Sequence, residues 1–355
     1  VDQILHKIRA DHIILANGHI ERLVSFRNND LPGVMLAGSF EKFIQRYGVI
    51  PETNPVIFSN NSSCLSLIKK LIDLNCKPQA YVDSRSGDKI EPELLEIIHK
   101  ENITLFTNAH VEGCDGKKQV QEISVRDAEG IITKLKSKML CVSGGFNPDV
   151  HLFTQSKGIL SWDDEYLTFK PDRSFQNTIV LGSNAGVFEY SKVVNDINTK
   201  LSFLNHEPLS EIDFTLNDTD KYSIEKLWEI KHEKESRWSK SFIDLQNDVT
   251  TKDLRQGIQE GFDRIEHLKR FTTNSMGTDQ GKISSINALG IVSEILDKKV
   301  SEVGTTIYRP PYAPLSFASI AGRGTYDFYD PERKTSIHEW HKKNGAIFED
   351  VGQWK

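Results

Sequence analysis

The residues of this chain that could do chemistry are few and scattered. His338 and His341 stand in His-x-x-His spacing with Glu339 between them. On a helix both imidazoles would share one face, so a metal site has to be weighed. The apolar run 178–181 reads as a strand and leads into Gly182-Ser183-Asn184-Ala185-Gly186, with a helix expected to follow. A helix N-terminus offers unpaired N–H groups and a favourable dipole to a phosphate. Residues 182–188, Phe188 included, therefore read either as a cofactor contact or as a structural strand–helix turn. Asn17-Gly18 closes the apolar run 12–16, and a glycine there lets the backbone approach a ligand, though a plain turn has the same sequence. Asp83 lies where an acidic residue could bind a ribose. Cys64, Cys76, Cys114 and Cys141 lack metal-type spacing and read as buried or half-buried reduced thiols. His267 reads as a surface or helix-packing histidine, and no Ser-His-Asp arrangement, Cys–His pair or phosphate loop stands out.

The elements that must carry these groups alternate between strand and helix patterns. An apolar run at 55–59 is followed by Leu65, Leu67, Ile68, Leu71 and Ile72 at helical spacing, then by a strand at 79–82. That is a βαβ unit. Its first turn, Ser59-Asn60-Asn61-Ser62-Ser63, has no glycine, whereas a dinucleotide fingerprint needs glycines for the tight turn and for approach to pyrophosphate. The unit is expected to scaffold rather than to hold a cofactor. A helix at 94–99, a strand at 103–106, a hairpin of 118–125 with 131–135 and a return strand at 138–142 follow. Residues 205–240 are highly charged and read as a linker with a solvated helix, docked by Trp228 and Trp238. Leu254, Ile258, Phe262, Ile265 and Leu268 predict one helix over 251–270 with a core stripe, capped by Thr250 or Thr251. Helices at 285–296 and 301–308 complete a small helical domain.

Composition sets the outer limits. The 355 residues are 38% hydrophobic and 26% charged, enough for two or three domains with cores of their own. A net charge of -6 gives no electrostatic case for nucleic acid or an anionic membrane. No run approaches the roughly 18 apolar residues of a membrane span, and the first residues are no secretory signal. A cytoplasmic protein is expected.

Two pieces carry a family resemblance: Asp244-Leu245-Gln246-Asn247-Asp248-Val249 and Ser275-Met276-Gly277-Thr278-Asp279-Gln280-Gly281-Lys282-Ile283-Ser284. Amine and opine dehydrogenase chains with a two-iron cluster have similar pieces reading Cys-x-Cys-Glu-Val and Gly-Met-Gly-x-Cys-Gln-Gly-x-x-Cys. Laid on that pattern, the thiolate positions fall on Leu245, Asn247, Asp279 and Ser284, and none is Cys. A cluster needs Cys thiolates. Together with Ala16-Asn17-Gly18-His19-Ile20-Glu21-Arg22, Asn29-Asp30-Leu31-Pro32-Gly33-Val34-Met35-Leu36-Ala37, Ser143-Gly144-Gly145-Phe146-Asn147-Pro148, Tyr308-Arg309-Pro310-Pro311-Tyr312 and Phe348-Glu349-Asp350-Val351-Gly352-Gln353-Trp354, this resembles the alpha subunits of heterotetrameric sarcosine oxidases.

The resemblance implies an α/β, two-dinucleotide-binding-domain flavoprotein fold of the glutathione-reductase type. It places a partial FAD/NAD-binding domain at 1–50, a nested degenerate Rossmann unit at 51–142, a return to the first domain at 143–204 and a linker at 205–240. A helical, cluster-less domain at 241–325 and the start of an aminomethyltransferase-like folate domain at 326–355 follow, so the chain reads as a fragment shortened at both ends. Oxidative demethylation of sarcosine to glycine is implied, with hydrogen peroxide and, with folate, methylene-tetrahydrofolate as products. NAD is expected near Asn17, Gly18, Gly182, Ser183, Asn184, Ala185, Gly186 and Phe188, and FMN at the junction with the beta subunit near Thr278 and Lys282, beside Lys269 and Arg270. FAD belongs to the beta subunit, tetrahydrofolate to the C-terminal domain, and no iron–sulfur cluster is expected. Partners are the beta, gamma and delta subunits, with the amine in a partner, so no residue here is assigned to catalysis. The His338 piece is expected to pack rather than to bind metal. The rivals are the large subunit of a related N-methyl-amino-acid enzyme, such as N-methylglutamate dehydrogenase, and a non-catalytic NAD-binding scaffold.

Overall fold

The computed structural model describes residues 3–202, 221–231, 240–321 and 331–354. Contacts divide the chain into two units, one of His12–Arg309 and one of Val1–Asp11 with Pro310–Lys355.

The larger unit is organised around a five-stranded parallel sheet. Its order is Val34–Leu36, Leu140–Ser143, Val56–Ser59, Ala80–Asp83, Thr104–Phe106. Every residue of the three middle strands is buried, which is what a parallel sheet covered on both faces requires. Side chains alternate between faces along a strand. Ile57, Tyr81 and Cys141 therefore meet the helices Ala37–Tyr47, Leu65–Asp73 and Pro92–Lys100 through Phe40, Ile44, Leu67, Leu71, Leu94 and Ile98. Val56, Phe58, Val82 and Val142 point the other way, onto Val111, Ile123 and Val125. Those three come from an antiparallel sheet of His110–Asp115, Glu122–Arg126 and Ile132–Lys136. The hairpin expected from sequence is thus the outer part of a three-stranded sheet. Its first strand was missed because His110-Val111-Glu112-Gly113-Cys114-Asp115 does not alternate cleanly.

Beside this core, Ile13–Leu15 pairs in parallel with Thr178–Val180, and His19–Glu21 pairs with Phe146–Pro148. A short hairpin, Phe242–Asp244 with Val249–Thr250, opens the helical region. The expected single helix over 251–270 is two, Thr251–Gln259 and Ile265–Thr272. Gly261, at φ +94°, takes the left-handed conformation just past the first, which turns the chain while Leu254 and Leu268 still share one core. Thr250 caps the first helix in a reciprocal capping box with Asp253. The expected 301–308 helix is a single turn, Val300–Val303, stopped at Gly304.

Residues 221–231 do not form the solvated helix expected there. They run extended and pair with two other parts of the unit, Ile224 with Asn61 and Glu229 with Ser25. Trp228 is only 2% exposed and fills the core of the helical region with Ile243, Leu254, Leu289 and Val292. A Cβ on Gly290 would lie 2.3 Å from its ring, and the Arg22 guanidinium sits 5.0 Å from the ring centre. Trp238 and most of the expected linker lie outside the described residues.

In the smaller unit, helix His338–Lys343 buries His338, which stacks on Phe348 at 4.5 Å, while His341 is half-buried. Among the described residues no group of three or more His, Cys, Asp or Glu could hold a metal ion. No helix among them is long and apolar enough to cross a membrane.

Trp228→Ala is expected to destabilise the protein by about 3–5 kcal/mol in denaturant unfolding. A loss below about 1 kcal/mol would contradict a core role for the 221–231 segment.

Candidate functional site

A cleft of about 1340 Å³ opens at the ends of the two paired strands Ile13–Leu15 and Thr178–Val180. Each strand leads into a turn that needs glycine: Gly18 sits at φ +82° and Gly182 at φ +59°. The opposite wall is helical, built by Ala37–Tyr47 and Leu65–Asp73. An aromatic wall runs along the cleft. His19 lies 4.1 Å from Phe146, Phe188 lies 5.1 Å from Tyr222, and Phe146 stacks on Tyr222 at 5.8 Å, centroid to centroid. Burial lowers the His19 pKa, so its ring is neutral at pH 7. Lys42, Arg46, Lys69 and Lys221 line the cleft with Glu41 and Glu91. Aromatic rings and cations lining one cleft suit a heteroaromatic ligand that carries phosphate.

Of the residues expected from sequence, Gly18, Gly182, Ser183 and Phe188 line the cleft, whereas Asn17, Asn184, Ala185 and Gly186 do not. The helix expected after the glycine turn begins only at Tyr190, so residues 182–185 form a single 3-10 turn. Asn184 is buried and donates through Nδ2 to the Asp149 carbonyl at 2.6 Å. Sequence reasoning named neither His19 nor Phe146 as site residues, though both flank glycines it singled out. Tyr222 carried no signal, because it arrives from the charged stretch.

Glu21 stands behind the cleft. Its Oε2 accepts the Gly38 N–H at 2.7 Å in the first turn of helix Ala37–Tyr47. Burial pushes the carboxyl up to about 7, against hydrogen bonds from Ser143 and Gly38 that favour the charged form.

The strand ends of the nested unit are filled by side chains and covered by the 222–225 segment, while Ser62 and Ser63 of its turn line the large cleft. In a parallel sheet a nucleotide binds beyond the carboxyl ends of the strands where the strand order reverses. Here that point lies between Val56–Ser59 and Leu140–Ser143. Asn61 Nδ2 reaches the Ser143 carbonyl at 3.1 Å and the Asn60 Oδ1 at 3.0 Å, and Ser63 Oγ meets Ser143 Oγ at 2.8 Å. The 222–225 segment then pairs over the turn: Glu225 N donates to the Asn60 carbonyl at 2.8 Å and Ser62 N to the Ser223 carbonyl at 3.1 Å. Asp83 is fully buried and bonded to the Arg85 guanidinium at 2.9 Å and the Tyr81 hydroxyl at 2.8 Å. Its carboxylate is spent on that network, so a ribose has no access to it. Cys64 and Cys114 are buried, which pushes both thiols up to about 12 and leaves them inert.

Of the four positions that the resemblance aligns with cluster ligands, three carry hydrogen-bonded polar side chains. Asn247 Nδ2 donates to the Thr273 carbonyl at 3.1 Å, Asp279 accepts from the Gly281 N–H at 3.0 Å, and Ser284 Oγ meets Ser275 Oγ at 3.2 Å. Leu245 is half-exposed. Asp244 ties both loops together, accepting from Gln246 N at 2.9 Å and Ser275 N at 2.8 Å. With all four cysteines of the chain at 64, 76, 114 and 141, these residues do not fit a thiolate-held cluster. Thr278 is exposed, its Oγ1 3.5 Å from Gln246 Oε1, and Lys282 lines a water-sized cavity with His151 and Tyr308. The structure brings Thr278 and Lys282 into one loop and keeps both apart from the residues that line the large cleft.

The family model for the sarcosine oxidase A3 domain matches residues 238–323. Sarcosine oxidase subunit alpha of Rhizobium meliloti (strain 1021) is 32% identical over 99% of this chain and 35% of that protein. The same subunit of Corynebacterium sp. (strain P-1) is 32% identical over 98% of this chain and 37% of that protein. The chain is thus a homologue of sarcosine oxidase alpha subunits and spans about a third of the length of these curated relatives. The crystal structure of L-proline dehydrogenase from P. horikoshii superposes with a TM-score of 0.61 at 20% identity, over 88% of this chain and 59% of that one. The α/β fold expected from the sequence is the fold of the chain, and it is shared with that dehydrogenase.

Because the folded state holds the Glu21 proton more tightly than the unfolded chain, this group makes stability fall as pH rises from 4.5 to about 7. Glu21→Gln is expected to flatten the Tm–pH profile across that window. A variant profile parallel to wild type there would show that Glu21 titrates normally.

Proposed function

We propose that this chain works as the alpha subunit of a cytoplasmic sarcosine oxidase, with beta, gamma and delta partners. The complex would convert sarcosine to glycine with release of hydrogen peroxide, and would form methylene-tetrahydrofolate when folate is present. The single observation that carries the reading is the aromatic, glycine-turned cleft of a chain 32% identical to sarcosine oxidase alpha subunits over 99% of its length. Within the cleft, the backbone at Gly18, Gly182 and Ser183 would hold NAD, and Phe188, Phe146 and Tyr222 would face a ring. Asn17, Asn184, Ala185 and Gly186 support those turns from outside the cleft.

Two flavins supply the redox chemistry when bound, FAD in the beta subunit and FMN at the junction with it. On this side Thr278 and Lys282 stand for the FMN contacts. Lys269 adds a second cation, and burial together with Arg309 and Arg270 lowers its pKa. The absence of cysteine at Leu245, Asn247, Asp279 and Ser284 supports an oxidase that works without an iron–sulfur cluster. Four free, buried cysteines suit a reducing compartment. The amine pocket is assigned to a partner chain, so the residues here bind, orient and exclude water.

The covered strand ends of the nested unit favour a second reading, a scaffold that keeps NAD without turning it over. Both readings meet one experiment on the full-length chain purified with its neighbouring subunits. The expected outcome is NAD, two flavins, no stoichiometric iron or acid-labile sulfide, and sarcosine-dependent peroxide release. Phe188→Ala is expected to weaken NAD retention about tenfold. Iron–sulfur in stoichiometric amount, or no turnover with sarcosine, would overturn the oxidase reading. Bound NAD whose absorbance never changes during turnover would assign it the scaffold role.

A further inference from the structure

The two loops that line the cleft are held by the backbone of one residue, Asp149. The Asp149 N–H donates to the Gly18 carbonyl at 3.1 Å, and the Asp149 carbonyl accepts from Asn184 Nδ2 at 2.6 Å. The Asp149 side chain is in turn fixed, with Oδ1 3.0 Å from His151 Nδ1 and both side chains 4% exposed. The His151 ring lies face to face with Tyr308, centroids 3.5 Å apart. Tyr308 belongs to the helical region and is hydrogen-bonded to Ser285, whose Oγ is 3.0 Å from Ser275 Oγ. Ser275 Oγ lies 3.2 Å from Ser284 Oγ.

We infer that Asp149, His151 and Tyr308 are positioning residues that set the spacing of the Gly18 and Asn184 loops. A buried ionisable pair is costly, and apolar residues of similar volume would pack as well. What the pair adds is orientation. A carboxylate bonded to a ring that cannot rotate fixes the torsions of residue 149, and through them the direction of the N–H and C=O that grip the two loops. Stacking on Tyr308 is what stops the ring from rotating.

The decisive comparison uses Tyr308→Leu and Tyr308→Phe in the full-length chain with its partners. Hydrogen exchange is followed by mass spectrometry in peptides covering 16–19, 182–188 and, as a control, 56–59. Tyr308→Leu is expected to raise exchange about tenfold in both cleft loops and to leave the control unchanged, while Tyr308→Phe, which keeps the ring, stays close to wild type. This readout needs no ligand. NAD dissociation, expected to quicken about tenfold in Tyr308→Leu, rests on the cleft taking a dinucleotide. A wild-type protein that retains no NAD would overturn that reading and leave the exchange result to decide the present one. Wild-type exchange in both loops of Tyr308→Leu would overturn the positioning role. Should that variant unfold, seen as faster exchange in the control as well, His151→Gln decides in the same way, because it loses the ring and keeps a group able to bond Asp149.

Discussion

One extended segment, residues 222–230, is the constraint on which the rest of the larger unit depends. A lone strand cannot satisfy its own backbone groups, so burying it requires partners on each side. It finds them at Asn60 and Ser62 over the nested sheet and at Ser25 beside it. Its side chains then join parts of the fold that share no sheet. Tyr222 completes the aromatic wall of the cleft, and Trp228 fills the helical core. The same few residues therefore cover the strand ends of the nested unit and help to build the cleft.

That double use explains why a unit with Rossmann topology carries no phosphate turn. Once the strand ends are covered by a segment of the chain itself, backbone approach to a ligand is not needed there, and side chains take the place of glycines. Ser59, Asn60, Asn61, Ser62 and Ser63 bond to one another, to Ser143 and to the covering strand. Asp83, whose place in such a unit suggests a ribose, is locked to Arg85. The cleft outside the sheet keeps what the nested unit gave up: glycine turns with positive φ and an open volume.

A similar substitution of chemistry by packing occupies the helical region. Thiolates converging on iron would hold its two loops by coordination. Here Asp244 performs the joining with two backbone N–H groups, and a small hydroxyl network at Ser275, Ser284 and Ser285 fills the space between. Hydrogen bonds to a carboxylate are strong enough to fix loop geometry.

The sequence by itself determined the alternation of strands and helices in the nested unit, the absence of its phosphate turn, the absence of cysteine from residues 241–325 and the family likeness. These follow from local patterns: hydrophobic period, glycine content and residue type at fixed spacing. It also located Gly18, Gly182, Ser183 and Phe188, since a strand followed by a glycine turn is a local signal. Only the tertiary structure decided that Tyr222, Trp228 and Ile230 are buried, because these few apolar anchors are diluted by charge and the segment's partners lie up to about two hundred positions away. It decided too that Gly261 breaks the expected long helix, that Asn184 faces Asp149 rather than the cleft, and that Asp83 is sealed. Each of these depends on which surface a residue meets, and the period of a segment carries no information about its neighbours in space.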